Sequence, residues 1–439
     1  MPVLWFRRDL RLRDNPAVHE AAAAGGDVVP LFVLDDALWG PAGSNRRAFL
    51  VGCLRALDES LDGRLVVRRG DPARVVAEVA DGGPVFAAED FGPYGVRRDD
   101  AVVESGIDLR LVGSPYAVPP GEITSGAGAP YKVFTPFSKA WRQHGWPAPL
   151  PAPRSVRWAE LDGDPIPDAP SVGAELPAAG EEAARRAARR FWEHGLADYA
   201  ERRDRPDVDG SSRLSPYLRW GCLHPRQLLA KLGRSTGESV FRTELCWREF
   251  YADVLFHDPE SSRRSWHPSM RGMQVDHGRR ADARFDAWAA GETGFPLVDA
   301  GMRQLRTEGW MHNRVRMLAA SFLVKDLHVD WTRGARHFME HLVDADLASN
   351  THGWQWVAGT GTDASPFVRV FNPVTQSKRF DPDGTYIRRY VTELSGVAAP
   401  AVHEPWKLAE RPAGYPAPIV DHDAERLEAL RRFAERAGR

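Results

Sequence analysis

The stretch Asp344 to Trp356, D-A-D-L-A-S-N-T-H-G-W-Q-W, is too polar for ordinary core and holds the residue types from which a cofactor pocket is built. On a helix of about 3.6 residues per turn, Asp346, Asn350 and Trp354 recur at every fourth position and share one face. Asp344 stands just before them and Trp356 just after. Such a face hydrogen-bonds a polar heteroaromatic ring and presents it to an indole. The alternative is a buried polar face with packing tryptophans, and other segments must decide.

Four segments carry further chemistry. Tyr199 is followed by Ser211-Ser-Arg-Leu-Ser-Pro-Tyr-Leu-Arg-Trp-Gly, so Ser211, Ser212, Arg213, Leu214 and Ser215 lead into a helix with Pro216 in its first turn. Hydroxyls and exposed amides at a helix start suit a phosphate or pyrophosphate. Capping alone accounts for one serine, hardly three. Glu244-Leu-Cys-Trp-Arg-Glu-Phe-Tyr sets Glu244 and Trp247 one turn apart, and Gly309-Trp-Met-His-Asn-Arg-Val-Arg-Met sets Asn313 and Met317 on one face with Arg316 beside it. Each pairs a flat or polarizable side chain with a hydrogen-bonding one, as a nucleobase pocket requires. Taken singly, a surface carboxylate and a core tryptophan explain either. Val329-Asp-Trp-Thr-Arg-Gly supplies Trp331, which lies near Trp354 if the two helices pack.

Elements of two kinds must position these residues. In the first 112 residues short apolar runs alternate with helical patterns, the signature of a parallel sheet with crossover helices. The expected strands are Val3 to Phe6, Val28 to Leu34, Leu65 to Val67, Val85 to Ala88 and Leu109 to Val112. Asp71-Pro72 reads as an N-cap followed by a first-turn proline. This open, Rossmann-like α/β domain has neither G-x-G-x-x-G after its first strand nor G-x-x-x-x-G-K-[ST], so neither a dinucleotide nor an NTPase site is supported. A ligand here would sit at the carboxyl ends of the strands, near Arg7 to Asp9, Asp35, Asp36 or Asp90 to Tyr94.

From about Gly113 to Gly180 the chain is rich in Pro, Gly and Ala, with one ordered island from Tyr131 to Trp146. Beyond Glu181 amphipathic helices dominate; one is expected over Ser239 to Phe256 and another over Asn313 to Leu327. The expected organisation is an α/β domain over 1–125, a connection over 126–180 and a helical domain over 181–439.

Composition sets the class. The 439 residues are 43% apolar and 27% charged, enough for a large core. No apolar run approaches the roughly 20 residues of a membrane span, and the first charges follow the first apolar residues, the reverse of a signal peptide. A cytoplasmic enzyme, monomeric and away from membranes, is the expectation. Cys53, Cys222 and Cys246 are scattered and suggest neither a disulfide framework nor a zinc site, so no metal is expected. The net charge of -2 gives no global signal for nucleic acid, although arginine runs such as Arg202 to Arg205 could form a basic face; most such runs are solvated helix faces. Ten of the fifteen tryptophans lie beyond residue 180, which suggests stacking or redox use as well as core packing.

W-R-E-F-Y, G-W-M-H-N-R-V-R-M, S-F-L-V-K-D-L, D-L-A-S-N-T-H-G-W-Q-W and T-G-T-D-A-S-P-F-V-R-V-F-N-P, in this order and spacing, together with F-R-R-D-L-R-L-R-D-N near the start, resemble the DNA photolyase and cryptochrome family over nearly the whole length. The chain is most similar to bacterial class I photolyases that repair cyclobutane pyrimidine dimers. The resemblance implies FAD in the helical domain, its phosphates held by Tyr199, Ser211, Ser212 and Ser215 with Arg213 and Leu214 between them. It implies Phe241 packing near the flavin, Arg316 paired with Asp344, Asp346 bonding the cofactor, and Asn350 facing the flavin N5, where Asn leans towards repair rather than photoreception. It also implies that Glu244, Trp247, Asn313, Met317 and Trp356 contact the dimer in UV-damaged DNA, with Arg314 at flanking phosphates. A dimer is weakly paired and poorly stacked, so flipping it out of the duplex costs little.

Two departures stand out. Trp354 and Trp331 match the inner members of the family's tryptophan chain to the flavin, but the outer region reads Met273-Gln-Val-Asp-His-Gly, with Trp266 as a speculative substitute. Phe91-Gly-Pro-Tyr-Gly-Val-Arg-Arg-Asp lacks the Asn-Glu pair of folate-binding members, so the implied antenna is 8-hydroxy-5-deazaflavin rather than methenyltetrahydrofolate, with Asp99 and Arg46 as candidate contacts. The rival class is a cryptochrome-type blue-light photoreceptor. Repair of (6-4) photoproducts is disfavoured because the Asn313 to Met317 segment lacks His-x-x-x-His, and a scaffold without chemistry is disfavoured because every flavin-site position is filled.

Overall fold

A computed structural model describes residues 1–153, 155–362 and 369–437; the end of the T-G-T-D-A-S-P-F motif, residues 363–368, lies outside the described residues. The five expected strands form within a residue or two of the expected bounds: β1 Val3–Phe6, β2 Val29–Leu34, β3 Val66–Arg69, β4 Val85–Ala87 and β5 Leu109–Leu111. They pair in parallel in the order β3-β2-β1-β4-β5, with Val3 opposite Val29 on one side and Val85 on the other. All of β1 and β2 is buried, as expected for a parallel sheet covered on both faces. Alternation divides the strands between two cores: Val3, Trp5, Val29 and Leu31 face one, Leu4, Phe6 and Phe32 the other.

The second of these cores does not stop at the sheet. It runs on through Phe137 and Trp141 to Phe191, Tyr199, Phe241, Leu245 and Phe250 of the helical region. The island between Tyr131 and Trp146 folds as the helix Phe134–His144. Asp71 caps the helix Pro72–Ala80 by accepting from the Arg74 amide, with proline in the first turn as the sequence predicts.

One helix expectation is corrected. Asn313 to Leu327 is not a single α-helix: Asn313–Ser321 gives way to a π-helical turn, Phe322–Asp326. That turn re-aims two buried charges, Lys325 Nζ donating 3.0 Å to the Ala358 carbonyl and Asp326 pairing with His422. Periodicity alone cannot see this, because one extra residue in a turn barely shifts the apolar pattern. The helices Pro373–Phe380 and Thr385–Tyr390 were not anticipated. No helix among the described residues is long and apolar enough to cross a membrane.

Candidate functional site

A cavity of about 510 Å³ opens between the helices Thr236–His257, Asn313–Ser321 and Leu347–Ala358. Each helix is held by local chemistry that the sequence encodes. Ser235 and Glu238 form a capping box at the first, His312 Nδ1 accepts from the Arg314 amide at the second, and Asp346 caps the third by accepting from Ser349 N at 3.0 Å. Asp346 is therefore the N-cap and not a residue within the helical turn. Asn350 and Trp354 follow on its face.

The cavity gathers Tyr199, Ser212, Ser215, Phe241, Glu244, Trp247, Asn313, Arg314, Arg316, Met317, Asp344, Asp346, Asn350, Trp354 and Trp356. Four residues named from the sequence lie outside its wall. Ser211 and Arg213 line an adjacent hollow with Ser212, Leu214 is buried beneath at 1% exposure, and Trp331 borders a separate hollow with Met273 and Lys325. Arg213 has φ 49°, a left-handed turn that reverses the backbone between the serines.

Four ion pairs organise the polar wall. Arg316 Nη2 stands 2.8 Å from Asp344 Oδ2, and it also donates through Nε to the Met311 carbonyl. Arg8, from the end of β1, reaches Asp346 Oδ2 at 2.8 Å. Burial would push the Asp346 carboxyl up, but Arg8, Arg219 and Arg248 outweigh it and hold the group well below the usual range. Arg203 Nη1 lies 2.7 Å from Glu244 Oε1; burial still pushes the Glu244 carboxyl up, against the pull of Arg203. Arg314 bonds Asp204 at 2.9 Å and covers the Phe380 ring.

Arg203, Asp204, Arg248 and Tyr251 also line the cavity and were not singled out from the sequence. Arg203 follows Tyr199 by one helical turn, a spacing that could have marked it, but it sat within a run of arginines that reads as a solvated face.

The aromatic wall has its own order. The Trp354 ring lies over Gly334, where an added Cβ would come within 2.2 Å, so the helices Trp331–His341 and Leu347–Ala358 pack closely, and Trp331 and Trp354 belong to one core. Trp354 meets Phe338 edge-on at 5.0 Å and Trp288 edge-on at 6.1 Å. Trp288 is fully buried and was not anticipated. Trp266 packs against the core shared with the sheet, and its amide donates 2.7 Å to Gln355 on the helix that carries Trp354. Asn350 Nδ2 donates 3.0 Å to the Ala335 carbonyl, which fixes the amide. Asp344 Oδ1 and Trp354 Nε1 are buried at the cavity with no partner among the described residues. Unanswered donors and acceptors of this kind await a ligand.

Residues 2–154 match the family model for DNA photolyase, and residues 241–435 match that for the FAD binding domain of DNA photolyase. A deoxyribodipyrimidine photo-lyase of Streptomyces griseus is 43% identical, covering 99% of each chain. A bacterial class III photolyase structure from Agrobacterium tumefaciens superposes with a TM-score of 0.92 at 36% identity, covering 100% of this chain and 98% of its own. A cryptochrome from Synechocystis superposes with a TM-score of 0.89 at 27% identity, covering 98% and 99%.

Proposed function

The chain belongs to the DNA photolyase family, and from that premise we propose how its cavity carries out the reaction. It is a flavoprotein lyase of DNA repair, a deoxyribodipyrimidine photo-lyase with FAD as cofactor. The residues present fit FAD: the cavity volume falls in the range of about 300–1,000 Å³ usual for cofactor pockets, and Asp344 Oδ1 offers a buried acceptor to a ring N–H. When bound, reduced and excited by light, FAD supplies the electron that opens the cyclobutane ring and takes it back afterwards.

The chain's own residues do the rest. Ser212, Ser215 and Tyr199, with Ser211, Arg213 and Leu214 around the turn, hold the phosphates. Arg316, Asp344 and Asp346 would orient the ring, Phe241 would pack against the cofactor, and Asn350, its amide fixed by the Ala335 carbonyl, would face the flavin N5. Trp354 and Trp331 serve the electron supply. On the substrate side Trp247 and Trp356 clasp the apolar cyclobutane face of a flipped dimer, Asn313 and Met317 complete that pocket, and the protonated Glu244 carboxyl donates a hydrogen bond to the base carbonyl where negative charge develops. Arg314 contacts flanking phosphates of UV-damaged DNA. The observation that carries this reading is that one cavity gathers Glu244, Trp247, Asn313, Met317 and Trp356 together with Asp344, Asp346 and Asn350.

An antenna chromophore, 8-hydroxy-5-deazaflavin in preference to methenyltetrahydrofolate, would sit at the carboxyl ends of the strands. Arg46 is a candidate contact, because its buried Nε has no partner among the described residues. Asp99 gives its Oδ1 to Arg7 and Arg98 and keeps a buried Oδ2 without a partner among the described residues, so it remains a candidate contact as well.

The test is direct. The flavin-loaded, chemically reduced protein is illuminated with an oligonucleotide carrying a thymine dimer, and recovery of the thymine absorbance is followed. Recovery is expected; none, with the flavin verifiably reduced, overturns the repair reading in favour of photoreception.

A further inference from the structure

Trp247 is only half-buried, yet its ring is not free to turn. Phe134, the first residue of the helix Phe134–His144, stacks on it with centroids 3.6 Å apart and planes 6° from parallel. Phe250 closes the corner, edge-on to both rings at 5.8 Å, and Tyr251 leans on Trp247 at 5.4 Å. Trp247 borders the cavity and Phe134 does not, so one indole face is spent on Phe134 and the other is what the cavity receives.

The helix that carries Phe134 is secured elsewhere. Trp141 Nε1 donates 2.5 Å to Glu249, which also accepts from the Ala117 and Val118 amides, and Arg142 bonds Thr243 at 2.9 Å. Glu249 and Thr243 belong to the helix Thr236–His257, and Ala117 and Val118 to the segment that follows β5. Removing the Phe134 ring therefore leaves the helix in place and takes away the support behind one wall of the site.

We propose that Phe134 is a positioning residue for lesion recognition: by stacking on Trp247 it holds the indole in the orientation that receives a flipped pyrimidine dimer. This rests on the assignment of Trp247 to the dimer. A stacking side chain must keep its plane when the base arrives, and an indole free to rotate loses that order on each binding event. The part of the chain that joins the two domains thus contributes to substrate selection without touching substrate.

The experiment uses the flavin-loaded protein with Phe134→Ala, Phe134→Leu and Phe134→Trp. Affinity is measured for an oligonucleotide with one thymine dimer and for its undamaged counterpart, and repair yield per absorbed photon is measured at saturating substrate. An aromatic stack contributes enough that dimer affinity should fall by about threefold to tenfold in the alanine and leucine variants. Affinity for undamaged DNA and repair yield at saturation should stay unchanged, and Phe134→Trp should restore binding. Unchanged dimer affinity in folded Phe134→Leu overturns the proposal, as does an equal loss on undamaged DNA. Trp247→Ala separates the two readings: if it leaves dimer affinity intact, the assignment of Trp247 fails, whereas a loss there with none in the Phe134 variants sinks only the positioning role.

Discussion

At the scale of single residues, the Glu244 carboxyl carries the sharpest expectation. A hydrogen bond from the chain to a developing charge is worth about 1.5–3 kcal/mol. Glu244→Ala should therefore lower dimer affinity by about tenfold or more and reduce repair yield; no change in either would show that Glu244 plays no part in recognition. Burial raises its pKa while Arg203, 2.7 Å away, pulls it down. With the cation removed in Arg203→Ala, the carboxyl keeps its proton to higher pH, and the midpoint in a pH titration of dimer binding should move upward. A midpoint that stays or falls would show that Arg203 does not govern Glu244.

The helices that frame the cavity depend on caps that titrate. Burial lowers His312 to about 4, and its Nδ1 accepts from the Arg314 amide at 3.2 Å, so the folded protein needs the neutral ring. Because the folded pKa lies below the unfolded value of about 6.5, this contribution is fully present above pH 6.5 and is lost as pH falls from there towards 4. His312→Asn keeps a capping acceptor and does not titrate. The melting temperature of the variant should fall less steeply than that of the native chain across that window, by an amount corresponding to roughly 1–3 kcal/mol. Parallel curves would show that the cap is not linked to the fold in this way. The same scale shows what pattern reading catches: strands buried on both faces announce themselves as apolar runs, and Asp71-Pro72 announces a helix start. The π-helical turn at Phe322–Asp326 does not, since it answers to Ala358 and His422 far along the chain.

For the molecule as a whole, the sheet and the cavity meet at one ion pair. The order β3-β2-β1-β4-β5 places a topological switch point between β1 and β4, where such folds leave a crevice for ligands. Here Arg8 leaves the end of β1 and bonds Asp346, while Asp90, after β4, approaches the same arginine at 3.8 Å. Arg8→Gln leaves the Asp346 carboxylate short of its closest cation. Losing this part-buried, charge-assisted hydrogen bond while Arg219 and Arg248 remain costs about 1.5–3 kcal/mol, so the variant should melt earlier and lose FAD more readily on dialysis. Retention of cofactor and melting temperature equal to the native chain would show that the pair joins the domains without supporting the site.

Much of this protein is local and so is written in the order of its residues. The strands follow from apolar runs, the helix starts from Ser, Asp and His at caps, and the grouping of Asp346, Asn350 and Trp354 from the turn of a helix. The identities at the cavity were legible for the same reason, since Glu244 with Trp247 and Asn313 with Met317 are neighbours one turn apart. What packing alone decided are the contacts between elements remote in sequence: Arg8 on Asp346 across 338 positions, Arg203 on Glu244, Phe134 behind Trp247, and Trp288 beside Trp354. A helical or strand period states which face a side chain takes. It does not state which other face it will meet, because that depends on how whole layers close over a shared core.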